Sequence, residues 1–218
     1  MKIPRISAAV FISLAAFAST VAFSQALTEP APPEDTARQS QVNFVLAATI
    51  KKIADGDTVI LEGVNKKRFV IRVSDMDTPE IEHAEFTPRS CKDCKPVPFR
   101  PGQPGGKAAT EALKNLLSVG DAVAVECYEL DIYGRMVCHI FKGDTNINLE
   151  MIKNGWGWLP RDKHSNFKTE WIREPASYGA ERLAKQKSLG AWGLSGQVSP
   201  ARWRKDCWNN GQCEGAEK

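Results

Sequence analysis

Alternating apolar and polar positions predict three β-strands, at residues 42–53, 58–62 and 68–73. In the third strand one face carries three apolar residues, Phe69, Ile71 and Val73. Arg72 lies in the opposite phase, so its side chain is expected to point away from the face of Phe69 and Ile71.

The second half of the chain alternates between helical and strand patterns. Helices are predicted at 106–117, 148–154 and 175–188, and strands at 122–128 and 135–141. Within each of the two strands the apolar positions share a phase: Val123, Val125 and Cys127 in one, Met136, Cys138 and Ile140 in the other. Both sets are expected to face the core, which predicts a disulfide between Cys127 and Cys138; two buried free thiols are the alternative.

This order of elements predicts the fold class α+β (mainly β): a five-stranded oligonucleotide-binding (OB-fold) barrel with about three packed helices. The length of 218 residues suits one domain of moderate size with appendages. Because such barrels serve many functions, the fold alone does not decide what the protein does.

The first residues have the build of a secretory signal peptide. Lys2 and Arg5 precede an apolar run at 6–23, and the small residues Ser24 and Ala26 predict cleavage after Ala26. The alternative is an uncleaved anchor, because the run approaches the length that spans a bilayer. We expect a secreted or periplasmic protein, a monomer without stable membrane association after cleavage.

Composition divides the rest of the chain into a spacer, a domain and a tail. Residues 27–41 hold three prolines and are expected to be flexible; the domain is placed at 42–198 and a cysteine-stapled tail at 199–218. A loop at 87–106 holds five prolines, and a loop of that length is usually functional or mobile.

Six cysteines in an exported chain indicate disulfides. Cys91 and Cys94 also have the spacing of a zinc knuckle, but Cys207 and Cys213 are too far apart to complete that pattern. Local pairs, Cys91 with Cys94 and Cys207 with Cys213, are our expectation for these four.

Two acidic clusters flank the second and third predicted strands. Asp55 and Asp57 precede the second strand, and Asp75, Asp77 and Glu80 follow the third. If the strands pair as an antiparallel hairpin, its open end brings the clusters together, and gathered carboxylates suit a hard cation such as calcium or magnesium. Taken alone, such aspartates are as typical of surface turns.

Two arginines change this interpretation. Arg72 lies close before Asp77, and Arg135 begins a later strand. A guanidinium group can hold two phosphate oxygens and stays charged at any working pH, so the set suits a phosphodiester; structural ion pairs are the alternative. The net charge is only +3, and +1 without Lys2 and Arg5, so nucleic acid would be held by a few placed residues.

Three blocks together resemble the signature of the staphylococcal nuclease (thermonuclease) family. They are DGDT at 55–58, RVSDMDTPE at 72–80 and DIYGR at 131–135, and the similarity runs from about 42 to 192. The resemblance implies an OB-fold barrel and calcium-dependent hydrolysis of DNA and RNA that leaves 3′-phosphate ends.

The resemblance also implies roles for single residues. The Ca2+ ligands would be two carboxylates and a main-chain carbonyl: Asp57, Asp77 and Thr78. The catalytic residues would be Arg72 and Arg135, which bind the scissile phosphate, and Glu80, which activates or positions water. Asp55 would be an acid beside the metal rather than a ligand.

Substrate contacts are where this chain departs from the family. Ile132 stands where the type enzyme has a lysine, and the family's aromatic pair is replaced by a segment with Trp158 and Arg161. Tyr133, Trp158 and Arg161 are our candidates for nucleotide contacts, with tryptophans of the core as the alternative. Two other hypotheses are a non-catalytic nucleic-acid- or partner-binding module and an interaction domain that binds calcium for structure alone.

Overall fold

The computed structural model describes residues 42–87, 95–160 and 172–217. The predicted signal peptide at 1–26, the spacer at 27–41, and Cys91, Cys94 and Arg161 lie outside the described residues. Among the described helices, none has both the length and the apolar character needed to cross a bilayer.

A closed β-barrel forms the centre of the domain. The described strands are β1 Phe44–Ile53, β2 Thr58–Gly63, β3 Arg68–Val73, β4 Ala122–Leu130, β5 Met136–Lys142 and β6 Thr145–Asn146. They are ordered β3-β2-β1-β4-β5-β6, and parallel pairing of β3 with β5 closes the first five into a barrel. The prediction of a five-stranded OB-fold barrel is therefore confirmed.

Helices pack around this barrel. They are α1 Gly106–Leu116, α2 Ile147–Lys153, α3 Ala176–Gln186 and α4 Pro200–Trp203, and α4 continues as a π-helix over Arg204–Asn209. α1 buries Ala109 and Leu113 and exposes its charged residues Lys107, Glu111 and Lys114, as its repeat predicts. Asn146 caps the N-terminus of α2, and its side chain accepts the Leu149 N–H.

The β4–β5 pair has the predicted phase. Val125, Cys127, Cys138 and Ile140 are buried in the core. Cys127 lies directly opposite Cys138 and is joined to it by a disulfide, which confirms the predicted pairing.

The β2–β3 hairpin sets the position of the acidic clusters. Its strands are antiparallel, with Thr58 opposite Arg72. The Val73 N–H donates to the Asp57 carbonyl at 2.8 Å, so the start of β2 and the end of β3 lie side by side. The open end of the hairpin therefore brings the two clusters together, as expected from the sequence.

Asp75 anchors the segment before α3 to the barrel. It is buried, and its Oδ2 accepts the N–H groups of Arg173 and Glu174 at 2.8 and 2.7 Å. The same oxygen lies 3.1 Å from Nε2 of His139, whose Nδ1 contacts the Tyr128 hydroxyl at 2.8 Å. Burial tends to raise the pKa of Asp75, but the hydrogen bonds from His139 and the backbone outweigh it and lower that pKa.

We predict that Asp75→Asn lowers the free energy of unfolding by on the order of 3 kcal/mol, because it removes the charge that these buried donors face. In the wild type this stabilisation is complete above the ordinary aspartate pKa of about 3.9 and is lost as the pH falls through the lowered pKa. Urea denaturation at neutral and acidic pH measures both effects. Asp144→Asn, at an exposed turn, is the matched control and should leave stability unchanged.

Candidate active site

An open cavity of about 340 Å³ lies at the open end of the β2–β3 hairpin. It is lined by four acidic residues (Asp55, Asp57, Asp77, Glu80), four arginines (Arg72, Arg100, Arg135, Arg204), four ring-bearing residues (His83, Phe86, Tyr133, Trp208) and Thr58. The three residues predicted as catalytic, both predicted carboxylate ligands and Tyr133 thus share one cavity.

Arg72 is the buried centre of the site. Its side chain is only 2% exposed, although it carries a full charge. Nη2 donates to Asp77 Oδ1 at 2.9 Å, and Nη1 lies 2.5 Å from Asp57 Oδ2. Because a buried charge is costly unless it is paired, these two carboxylates are what allow Arg72 to lie here.

Asp57 is also held by Thr78, from the second acidic cluster. The Thr78 N–H and Oγ1 donate to Asp57 Oδ2 at 3.1 and 3.2 Å. Burial tends to raise the pKa of Asp57, but Arg72 and Arg135 outweigh it and lower that pKa. Burial, together with the charge of Asp57, raises the pKa of Asp55 to about 7.

Two glycines allow the backbone around them to lie close to Thr78 and Glu80. A Cβ on Gly56 would lie 2.6 Å from Thr78 Oγ1, and one on Gly106 would lie 2.1 Å from the Glu80 carbonyl oxygen. The turn before β2 and the first residue of α1 therefore need residues without side chains.

Glu80 is fixed through its backbone. Its carbonyl accepts the Gln103 N–H at 2.8 Å, and the start of α1 packs on it through Gly106. Its Oε2 lies 3.8 Å from His83 Nε2, and this contact raises the pKa of His83. The loop at 87–106 thus contributes to the site at its C-terminal end.

Arg135 enters the cavity from the β4–β5 turn. Asp131 accepts both its backbone N–H, at 2.9 Å, and its Nε, at 2.7 Å. Nη1 reaches Thr58 Oγ1 at 3.3 Å, and the guanidinium lies 5.4 Å from the centre of the exposed Tyr133 ring. Asp131 therefore holds the backbone and Nε of Arg135 in place, and the side chain lines the cavity.

Arg204 was not foreseen from the sequence. It comes from the π-helix that follows α4, and it binds Asp77 with two nitrogens: Nη2 to Oδ2 at 2.7 Å and Nη1 to Oδ1 at 3.1 Å. Nη1 also contacts the Glu80 carboxylate. Burial tends to lower the pKa of Arg204, but Asp77 and Glu80 outweigh it and raise that pKa, so the side chain is always charged. The only signal in the sequence was the Cys207 and Cys213 pair, which is a disulfide here.

Trp158 has a different position from the one expected of a nucleotide contact. Its ring lies against Trp192, with centroids 3.8 Å apart, and it is not among the residues that line the cavity. Its backbone exchanges two 2.8 Å hydrogen bonds with Asp77. Trp158 therefore holds the Asp77 main chain in place.

The carboxylates suit a hard cation by chemistry, since Asp57 and Asp77 offer charged oxygens beside the Thr78 main chain. Within the three described ranges, no group of three or more acidic, histidine or cysteine side chains is arranged to hold a metal ion. Arg72 and Arg204 instead contact both oxygens of Asp77.

Comparison with known proteins adds an independent finding. The family model described as "Staphylococcal nuclease homologue" matches residues 70–193. The chain is 32% identical over 135 residues to Endonuclease YhcR of Bacillus subtilis, covering 59% of this chain but 9% of that protein. An uncharacterized endonuclease of Haemophilus influenzae is 25% identical over 156 residues, covering 72% and 71% of the two chains. Probable endonuclease LCL3 of Yarrowia lipolytica is 30% identical over 152 residues, covering 66% and 58%.

We predict that Gly56→Ala lowers the free energy of unfolding by about 1–3 kcal/mol, because the added methyl group would overpack the buried Thr78. Urea denaturation measures the loss. Gly179→Ala is the matched control, since a Cβ there meets no atom within 4 Å and alanine favours the helix. Equal stability of the two variants would show that the approach of Thr78 to the turn is not tight.

Proposed function

Because the chain belongs to the family of staphylococcal nuclease homologues, we propose that it is a calcium-dependent endonuclease that hydrolyses DNA and RNA and leaves 3′-phosphate ends. The observation that carries this proposal is that Arg72, Arg135 and Glu80 line one cavity with Asp57 and Asp77. Two fixed cations beside a carboxylate base suit the hydrolysis of a phosphodiester. The three relatives named above carry the word endonuclease in their names, which agrees with it.

The arginines bind the phosphate in this proposal. Asp131 fixes Arg135 by Nε, which leaves the end of the guanidinium directed into the cavity that Arg72 also lines. As water attacks, negative charge grows on the phosphate oxygens, and preorganised guanidinium groups stabilise that charge.

Glu80 orients and deprotonates the attacking water. Its backbone is fixed by Gln103 and Gly106, so the carboxylate is presented to the cavity from a rigid base. In this structure its carboxylate is paired with Arg204, and His83 Nε2 lies 3.8 Å from it. For Glu80 to accept a proton, Arg204 has to release it.

Calcium is proposed to bind at Asp57, Asp77 and the Thr78 carbonyl. When bound, it supplies positive charge that polarises the phosphate. Arg72 lies against both aspartates and holds them together, which limits the electrostatic repulsion between them.

We also propose that the protein is exported. The predicted signal peptide supports this, and so do two disulfides, Cys127–Cys138 and Cys207–Cys213, since such bonds persist in oxidising compartments.

The first test is incubation of the purified mature protein with plasmid DNA and with RNA, in calcium or in chelator. We expect internal cleavage with calcium, none with chelator, and ends that a polymerase extends only after 3′-phosphate removal. Glu80→Gln and Arg135→Ala should each reduce kcat by roughly 10²–10³, because each removes a group that acts in the transition state.

Glu111→Gln is the matched control, since Glu111 pairs with Lys114 on the exposed side of α1. Intact plasmid and RNA under every divalent ion would overturn the proposal. Nearly full activity of either active-site variant would overturn the role given to that residue alone.

We further predict that Arg204→Gln tightens calcium binding, because it removes the guanidinium group that is paired with the carboxylates of Asp77 and Glu80. Calorimetric titration with calcium alone measures this without any substrate. Arg202→Gln is the control from the same segment, because Arg202 is exposed and pairs with Asp206. Weaker or unchanged calcium binding in Arg204→Gln would mean that Arg204 and the metal do not compete.

A further inference from the structure

We propose that Trp208 is a nucleobase-binding residue of this site, on which a base next to the scissile phosphate stacks. The proposal rests on the proposed nuclease function and adds a contact from the C-terminal segment, residues 199–217. That segment lies beyond residues 70–193, which the family model covers. Trp208 lines the same cavity as Arg72 and Arg135.

The C-terminal segment is fixed over the cavity at several points. Trp208 Nε1 donates to the Pro101 carbonyl at 2.9 Å, and Trp203 Nε1 reaches the same oxygen at 3.3 Å. Arg204 binds Asp77, and Cys207 is joined to Cys213. The Trp208 ring is therefore held in place before a substrate arrives, which reduces the entropy lost on binding.

Trp208 belongs to a cluster of planar side chains. The Arg100 guanidinium lies 4.9 Å from the centre of its ring, and the His83 ring is nearly perpendicular to it at 5.4 Å. His83 and Arg100 are themselves paired by two 2.9 Å backbone hydrogen bonds. Phe86, 49% exposed, lines the cavity with them. This cluster of Trp208, Arg100, His83 and Phe86 is called the stacking cluster below.

A nucleotide is the occupant that fits both the arginines and the stacking cluster of the cavity. Aromatic rings and arginine planes are the groups on which the bases of single strands stack. The guanidinium groups of Arg72 and Arg135 supply the phosphate contacts in the same cavity. One nucleotide thus offers a charged group for one part and a flat ring for the other.

Trp208 is expected to bind bases without choosing among them. Its only hydrogen-bond donor is Nε1, which is used by Pro101. The side chain therefore has no hydrogen bond left for a base edge, and stacking alone tolerates every base.

The test measures binding of a short single-stranded DNA and of the same strand with abasic sugars, by fluorescence anisotropy. All proteins carry Glu80→Gln so that the DNA stays intact. We expect Trp208→Ala to weaken binding of the base-bearing strand roughly tenfold, the loss of one stacking contact. Binding of the abasic strand should change little, and Trp208→Phe should restore most of the affinity because it keeps a ring.

Trp203→Phe separates stacking from anchoring. Trp203 is buried, and it donates to the same Pro101 oxygen but does not line the cavity. If Trp203→Phe weakens binding as much as Trp208→Ala does, the ring acts by anchoring the segment and the proposal is overturned. Equal loss on both strands, or no loss on either, overturns it as well. Thermal unfolding and thiol titration confirm that each variant is folded with its Cys207–Cys213 disulfide.

The experiments distinguish failure of the stacking proposal from failure of the proposed nuclease function. If the wild-type protein binds DNA through Trp208 but cleaves nothing, the stacking proposal stands and the proposed nuclease function is refuted. A wild-type protein that cleaves, with Trp208→Ala binding both strands normally, would retain the nuclease and refute the stacking role.

Discussion

The carboxylate of Asp77 receives guanidinium groups from two sides, and the geometry of the site depends on this arrangement. Arg72 approaches from β3 at 2.9 Å, and Arg204 approaches from the C-terminal segment at 2.7 and 3.1 Å. The Asp77 backbone is paired at the same time with Trp158. A single aspartate thereby joins the barrel, the segment after α2 and the C-terminal segment, and a buried charge of this kind tolerates little displacement of its partners.

The barrel and the centre of the site could be predicted from local pattern. Period-two alternation placed β2, β3, β4 and β5 within a residue or two of their ends, and the phase of Cys127 and Cys138 was sufficient to pair them. The juxtaposition of Asp57 with Asp77 followed from a hairpin, which is a local structure. These features depend on residues that are close in sequence or in adjacent strands, so the pattern of apolar and polar residues is sufficient to predict them.

Arg204 and Trp208 could not be predicted in the same way. Their segment carries no periodic pattern that specifies a docking direction, and its contacts with Asp77 and Pro101 join residues 127 and 107 positions apart. The place of Trp158 was equally hidden, because a tryptophan is as common in a core as at a ligand. The positions of these side chains are set by contacts with distant segments, which the local sequence pattern does not specify.

Closure of the barrel has a consequence for the order of folding. β3 and β5 pair in parallel, with Arg72 beside Val137, although a helix and a strand separate them in sequence. Contacts between such distant segments form late, because the intervening chain must lose entropy before they are made. Arg72 comes from β3 and Arg135 directly precedes β5, so the two share a cavity only after that step. Until these strands meet, the chain therefore carries no assembled site.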